Sequence, residues 1–121
     1  MQKRILVIDN EAKTTEEIRV GLENSGYSAD TINDPETVLF NFKSGIYDVL
    51  ILNVGLPHID GFALYEKIRD LDSKVKVCFM ADSTAHDEEF LNLFPIWNIP
   101  DFFHKPLMIR DLIEHIKEIE V

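Results

Sequence analysis

The sequence predicts an α/β fold: a doubly wound, five-stranded parallel sheet with five helices on its faces. Three observations carry that expectation. Continuous apolar runs occupy Arg4–Ile8, Asp48–Asn53 and Val75–Met80, as in strands buried on both sides. Weaker extended runs lie around Ser28–Ile32 and Asp101–His104, and each of the five runs precedes a helical pattern. Polar residues collect immediately after the strands, where open parallel sheets place their functional groups.

The elements follow in order. Asp9 and Asn10 close the first strand, and Thr14 or Thr15 is suited to cap a helix whose Glu16 and Glu17 favour its positive end. Ile18 and Leu22 give that helix an apolar stripe, and Gly26 stops it. After the second strand, Asp34-Pro35 reads as N-cap plus first helical residue. Val38, Leu39 and Phe42 are expected to face inward from that helix, with Gly45 at its end. The third strand leads into a loop from Val54 to Gly61 with the Asp60-Gly61 turn signal. A helix over Phe62–Leu71 then presents Leu64, Ile68 and Leu71. A fourth helix is expected over Asp87–Phe94, with Pro95 and Pro100 bracketing an irregular apolar connection that contains Trp97. The last helix carries Ile109, Leu112, Ile113, Ile116 and Ile119 at helical spacing.

The chain has 121 residues, so residues 1–121 are expected to form one domain with one real core. At 45% apolar and 28% charged it is globular in type. The run Ile5–Ile8 is too short for a signal peptide or a membrane span. Cys78 is the only cysteine, which excludes an internal disulfide and makes the reducing cytoplasm the simplest compartment. A net charge of −10 repels a phosphate backbone, so direct nucleic-acid binding is not expected.

Asp9, Asn10, Asn53, Ala81 and Lys105 should converge at the carboxyl end of the sheet. Here the chain resembles the response-regulator receiver family along essentially its whole length. The resemblance rests on Ile5-Leu6-Val7-Ile8-Asp9-Asn10-Glu11, on Asp48 to Pro57, on Ile59-Asp60-Gly61 and on Asp101 to Leu107, in this order and spacing. It implies a flavodoxin-like sheet of order 2-1-3-4-5. It also implies a phosphoryl-accepting aspartate ending the third strand, two acids after the first, a Ser or Thr after the fourth, and a lysine after the fifth. Asp9 and Lys105 match. Asn10 stands for the second acid, Asn53 for the acceptor and Ala81 for the hydroxyl residue, with Thr84 as a stand-in if the loop is remodelled. Phe102 matches the aromatic switch position, with core packing as the plain alternative. The resemblance also implies a cis bond between Lys105 and Pro106.

These departures alter the chemistry. Aspartyl phosphate formation needs a carboxylate nucleophile, and the Asn53 amide is a poor one. Magnesium prefers anionic oxygens, and only Asp9 of the three family positions is anionic. Glu11 is expected to point away along the following loop, so magnesium should bind weakly or not at all. Ala81 cannot hydrogen-bond a phosphoryl group. Metal binding, attack and readout are thus all affected, whereas a single introduced Asp→Asn substitution explains Asn53 alone.

The expected function is a pseudo-receiver acting by protein–protein contact without phosphorylation, not an enzyme. Its expected partner is a kinase, an effector or another receiver, a homodimer through the helix 4–strand 5–helix 5 side included. Phe94, Ile96 and Trp97 lie on that side as interface anchors or as core. The competing readings are a genuine phospho-receiver with an introduced Asn53, and a small flavin-binding or enzymatic module on the same architecture. His58, His86, His104 and His115 show no metal-ligand spacing.

Overall fold

A computed structural model describes residues 3–97 and 102–120, without the side chains of Phe94, Ile96, Trp97 and Glu120. In chain order the elements are β1 (Arg4–Ile8), α1 (Ala12–Asn24), β2 (Ser28–Ile32), α2 (Val38–Asn41), β3 (Val49–Asn53), α3 (Gly61–Leu71), β4 (Lys76–Ala81), α4 (Asp87–Trp97), β5 (Phe102–His104) and α5 (Ile109–Glu120). Short 3₁₀ turns, Pro35–Thr37 and Thr84–His86, lead into α2 and α4. All five strands are parallel, in the order β2-β1-β3-β4-β5.

Both faces of the sheet are apolar because alternate residues of each central strand enter separate cores. Leu6, Ile8, Leu50, Leu52, Val77 and Phe79 join Val38, Phe62, Ile68 and Phe90 on one side. Ile5, Val7, Val49, Ile51, Cys78 and Met80 join Ile18, Leu22, Leu112 and Ile116 on the other. A fully buried Leu or Ile of this kind contributes about 1.5–3 kcal/mol. On that second face Gly21 allows α1 and α5 to touch: a Cβ there would lie 2.3 Å from Ile109 Cγ2.

Several local expectations are met for the reasons given. Gly26 has φ +93°, and the Gly26 and Tyr27 amides donate to Glu23 and Leu22 carbonyls, closing α1 with a Schellman motif. Asp34 accepts from the Glu36 amide at 3.1 Å with Pro35 at the first helical position. The Lys105–Pro106 bond is cis.

Other expectations are corrected. α1 begins at Ala12, with Glu11 as N-cap, so neither Thr14 nor Thr15 caps it. The early start follows from Asp9, whose Oδ1 accepts the Glu11 amide at 3.0 Å and turns the chain at once. Thr15 is instead buried, donating to the Ala12 carbonyl and accepting from Asn33 Nδ2 at 2.8 Å. Glu16 therefore lies beyond the first turn and pairs with Arg19, as does Glu23. α2 stops at Asn41 rather than at Gly45, because Phe42 becomes extended (ψ 129°) and buries its ring near Tyr47. Leu39 is consequently exposed, and Gly45, at φ +82°, makes the later turn. Leu71 is exposed as well, since the buried stripe of α3 ends at Ile68. α4 continues through Pro95 to Trp97 instead of ending at Phe94. The proline removes one donor, to Leu91, in a part of the helix that is open to solvent. Pro100 and Asp101, and the packing of Trp97, lie outside the described residues and side chains.

Candidate functional site

Register brings the strand ends together. Ile8 pairs with Leu52, so Asp9 arrives beside Asn53. Asn53 pairs with Met80, and Ala81 with His104, which places Lys105 across from the end of β4. The Lys105 amide donates to the Ala81 carbonyl at 2.8 Å, locking that neighbour relation.

Asp9 and Asn53 are fully buried. Asp9 Oδ1 accepts from the Glu11 amide at 3.0 Å and from Asn53 Nδ2 at 3.2 Å. Asn53 Oδ1 in turn accepts from the Gly55 amide at 3.0 Å. This pattern fixes which end of the amide faces which partner. The nitrogen meets a carboxylate and the oxygen meets an N–H, so both ends are satisfied. Asn33 Nδ2 donates to the Asp9 carbonyl at 2.9 Å and ties β2 to the same corner.

Lys105 reaches into the centre, with its side chain only 13% exposed. Its ammonium lies 2.5 Å from Asp9 Oδ2, 2.9 Å from Glu11 Oε1 and 3.1 Å from Asp82 Oδ1. Asp9 Oδ2 has no aligned hydrogen bond of its own, so this ion pair is what compensates its burial. Burial pushes the lysine toward deprotonation, but the contacts to Asp9, Glu11 and Asp82 outweigh it and hold the ammonium above the ordinary lysine range.

The structure therefore assembles Asp9, Asn53, Ala81 and Lys105 as expected. Two members of the cluster were not anticipated. Glu11 turns back to Lys105 rather than pointing away, because the Asx turn at Asp9 reverses the chain. Asp82 follows β4 just as Asp9 follows β1, and that strand-end position was the available signal for it. Asn10 does not join the ion cluster. It is exposed, and lines a shallow groove with Asn33, Asp34, Pro35, Glu36, Pro57 and His58. Thr84 is exposed in its 3₁₀ turn. His86 stands over the pocket rim: a Cβ added at Gly55 would lie 3.7 Å from His86 Nε2 and from Asn53 Oδ1. Phe102 is half-buried, its ring tilted against those of Phe90 (centroids 4.7 Å apart) and His104 (5.1 Å), while His104 pairs with Asp87 of α4 at 2.7 Å.

The donor set does not fit the divalent cation that the resemblance implies. Magnesium needs near-octahedral, mainly anionic oxygens at about 2.0–2.1 Å. Here Asn53 turns its amide nitrogen toward Asp9, Asn10 is neutral and faces solvent, and Asp9 Oδ2 is taken by an ammonium. Among the described residues, no three His, Cys, Asp or Glu side chains are disposed to hold a metal ion.

A doubly wound 2-1-3-4-5 sheet with an acid, an amide and a lysine at its carboxyl end defines the class: a receiver-type α/β domain. The chain belongs to the response regulator receiver domain family, whose sequence profile it matches over residues 5–117. It is 30% identical over 120 residues to the alkaline phosphatase synthesis transcriptional regulatory protein PhoP of Bacillus subtilis, covering 98% of this chain and 49% of that protein. It is 31% identical over 117 residues to the transcriptional activator protein IrlR of Burkholderia pseudomallei, covering 96% and 49%. It thus spans about half the length of the curated relatives it matches. Among solved structures it is similar to the Thermotoga maritima response regulator TrrA in complex with Mg²⁺ and BeF (TM-score 0.77, 28% identity, 97% and 98% covered). It also shares the fold of a CheY-like receiver domain from Methanospirillum hungatei (TM-score 0.85, 23% identity, 98% and 93% covered). No helix among the described residues is long and apolar enough to cross a membrane.

Proposed function

We propose that this receiver domain signals without aspartyl phosphorylation, as a pseudo-receiver that acts by contact with another protein and catalyses no reaction of its own. One observation carries the reading. At the acceptor position Asn53 gives its amide nitrogen to Asp9 and its oxygen to the Gly55 amide. A carboxylate is what the phosphoryl chemistry needs there, whereas the buried hydrogen-bond pattern is matched to an amide. Ala81 and the exposed Asn10 point the same way, since readout and metal binding lose their groups along with attack. A purely introduced change at position 53 leaves those two unexplained.

The partner is a kinase, an effector or another receiver, and a homodimer through α4, β5 and α5 is one form that contact takes. The cytoplasm suits the single, fully buried Cys78 and the acidic surface. The test is incubation with magnesium and either a small phosphodonor or beryllofluoride, followed by NMR of backbone amides. The expected result is no saturable shift around Asn53, Ala81 and Lys105. Saturable shifts across the domain refute the proposal.

A further inference from the structure

A receiver that takes no phosphoryl group is open to other inputs, and this chain carries a titratable pair between α4 and β5. We infer that His104 and Asp87 form a proton-operated clasp, which fastens α4 to β5 while His104 is protonated and loosens it when the proton leaves. The inference rests on the phosphorylation-independent reading above and names a regulation of the contact face proposed there.

The clasp joins the last residue of β5 to the first residue of α4, with His104 Nε2 2.7 Å from Asp87 Oδ1. Phe102 lies two residues back and so on the same face of β5. Its ring centroid is 5.1 Å from that of His104 and 4.7 Å from that of Phe90 in α4. Asp87 and Phe90 are three residues apart and share one face of the helix. β5 therefore holds that face at two points, one ionic and one aromatic. Phe90 is buried and carries no charge, so only the ionic point responds to pH. Leu91, the next residue, is 67% exposed on a side that a partner can reach.

The surrounding charges leave the pair to act alone. α4 opens with Asp87, Glu88 and Glu89. Among the described residues, His104 is the only cationic group within 4 Å of these three, and Asp87 is the only carboxylate within 4 Å of His104. Phe102 against the ring and Ala81, its register partner on β4, carry no charge. Lys105 is turned to Asp9, Glu11 and Asp82. His104 is 41% and Asp87 40% exposed, so solvent protons reach both. An imidazolium donates a charge-assisted hydrogen bond to the carboxylate. A neutral ring keeps at most a neutral bond, and only as the Nε2–H tautomer. The attraction is thus present while the imidazole is protonated and the carboxylate ionised. It is lost as pH rises through the range of about 5 to 8 in which imidazoles lose their charge. Ion pairs this exposed are weak, so the fastened population changes by about two- to fivefold, a modulation rather than an all-or-none switch.

The experiment measures residue-resolved hydrogen exchange by NMR at about pH 6 and pH 8. The samples are the native chain, Asp87→Asn, His104→Gln and, as a control for another imidazole, His58→Gln. Rates are corrected for the intrinsic pH dependence of exchange and referred to the core amides of β1. In the native chain the amides of Leu91, Asn92 and Leu93 are expected to be about two- to fivefold better protected at the lower pH. His58→Gln should behave as native. Asp87→Asn and His104→Gln should each show equal protection at both pH values. Native α4 amides that exchange alike at both pH values overturn the inference, and that arm needs no variant. A pH response that survives in Asp87→Asn or in His104→Gln also overturns it. The beryllofluoride response of the native chain bears on the phosphorylation-independent reading alone. A beryllofluoride-inert chain whose α4 ignores pH therefore refutes only the clasp.

Discussion

Restoring an acid at position 53 is the sharpest perturbation available. In the native chain Asn53 Nδ2 lies 3.2 Å from Asp9 Oδ1, and both residues are fully buried. Asn53→Asp replaces that donated hydrogen bond with two facing carboxylates. At about 4 Å between charge centres, the repulsion is roughly 4 kcal/mol at an effective dielectric near 20. The lost hydrogen bond adds about 1 kcal/mol. Lys105, 2.5 Å from the other Asp9 oxygen, offsets part of this. A net destabilisation of about 2–4 kcal/mol is expected at pH 7 in EDTA, measured by urea denaturation. Magnesium should return part of the loss to the variant while leaving the native midpoint nearly unchanged. Asn53→Ala, which loses the hydrogen bond but adds no charge, separates the two contributions. An Asn53→Asp protein as stable as native in EDTA would show that the amide is not matched to Asp9. So would an equal magnesium response in both proteins.

Three further outcomes follow from particular contacts. Gly61→Ala should cost more than about 2 kcal/mol in denaturant. Its Cβ would fall 2.4 Å from Val54 Cα and 2.7 Å from the Asn53 carbonyl, both backbone atoms that cannot swing aside; a change within about 0.5 kcal/mol contradicts this close approach. Asp72→Ala should cost about 1–2 kcal/mol, because Asp72 accepts from the Gly45 amide at 2.9 Å and the Lys74 amide at 3.0 Å. Those bonds, that from Gly45 foremost, hold its carboxyl below the usual range, so the native contribution is present above pH ~4 and is lost on further acidification. The variant should therefore show a flatter acid limb than the native chain. Burial and the hydrogen bond to Asp30 at 2.8 Å push the Tyr47 hydroxyl up to about 12. Its contribution is thus complete below pH ~10 and lost as pH rises through 12. Absorbance of tyrosinate should show a late phase that Tyr47→Phe removes, and an unchanged titration refutes the assignment.

Much of the fold was legible because strands buried on both faces leave continuous apolar runs, and such runs bracket the polar residues that end them. β1, β3 and β4 were readable within a residue for that reason, and so was the convergence of Asp9, Asn53 and Lys105. The errors fall where a side chain's direction depends on contacts distant in sequence. Leu39 and Leu71 have helical spacing, yet Phe42 and Ile68 occupy the core they were expected to share. The pattern of apolar residues cannot say where one layer is already full.

The sequence by itself determined which residues end the strands, and its resemblance to receivers made Asn53, Ala81 and Asn10 the expected replacements for an acceptor acid, a hydroxyl residue and a second acid. Only the tertiary structure decided what fills the pocket. The Asx turn at Asp9 brings Glu11 back, and parallel pairing of β4 with β5 brings Asp82 to Lys105, residues separated by 23 positions in the chain. Coulomb attraction acts through distances in space, so four charges spread from position 9 to position 105 become one cluster only once the sheet has formed.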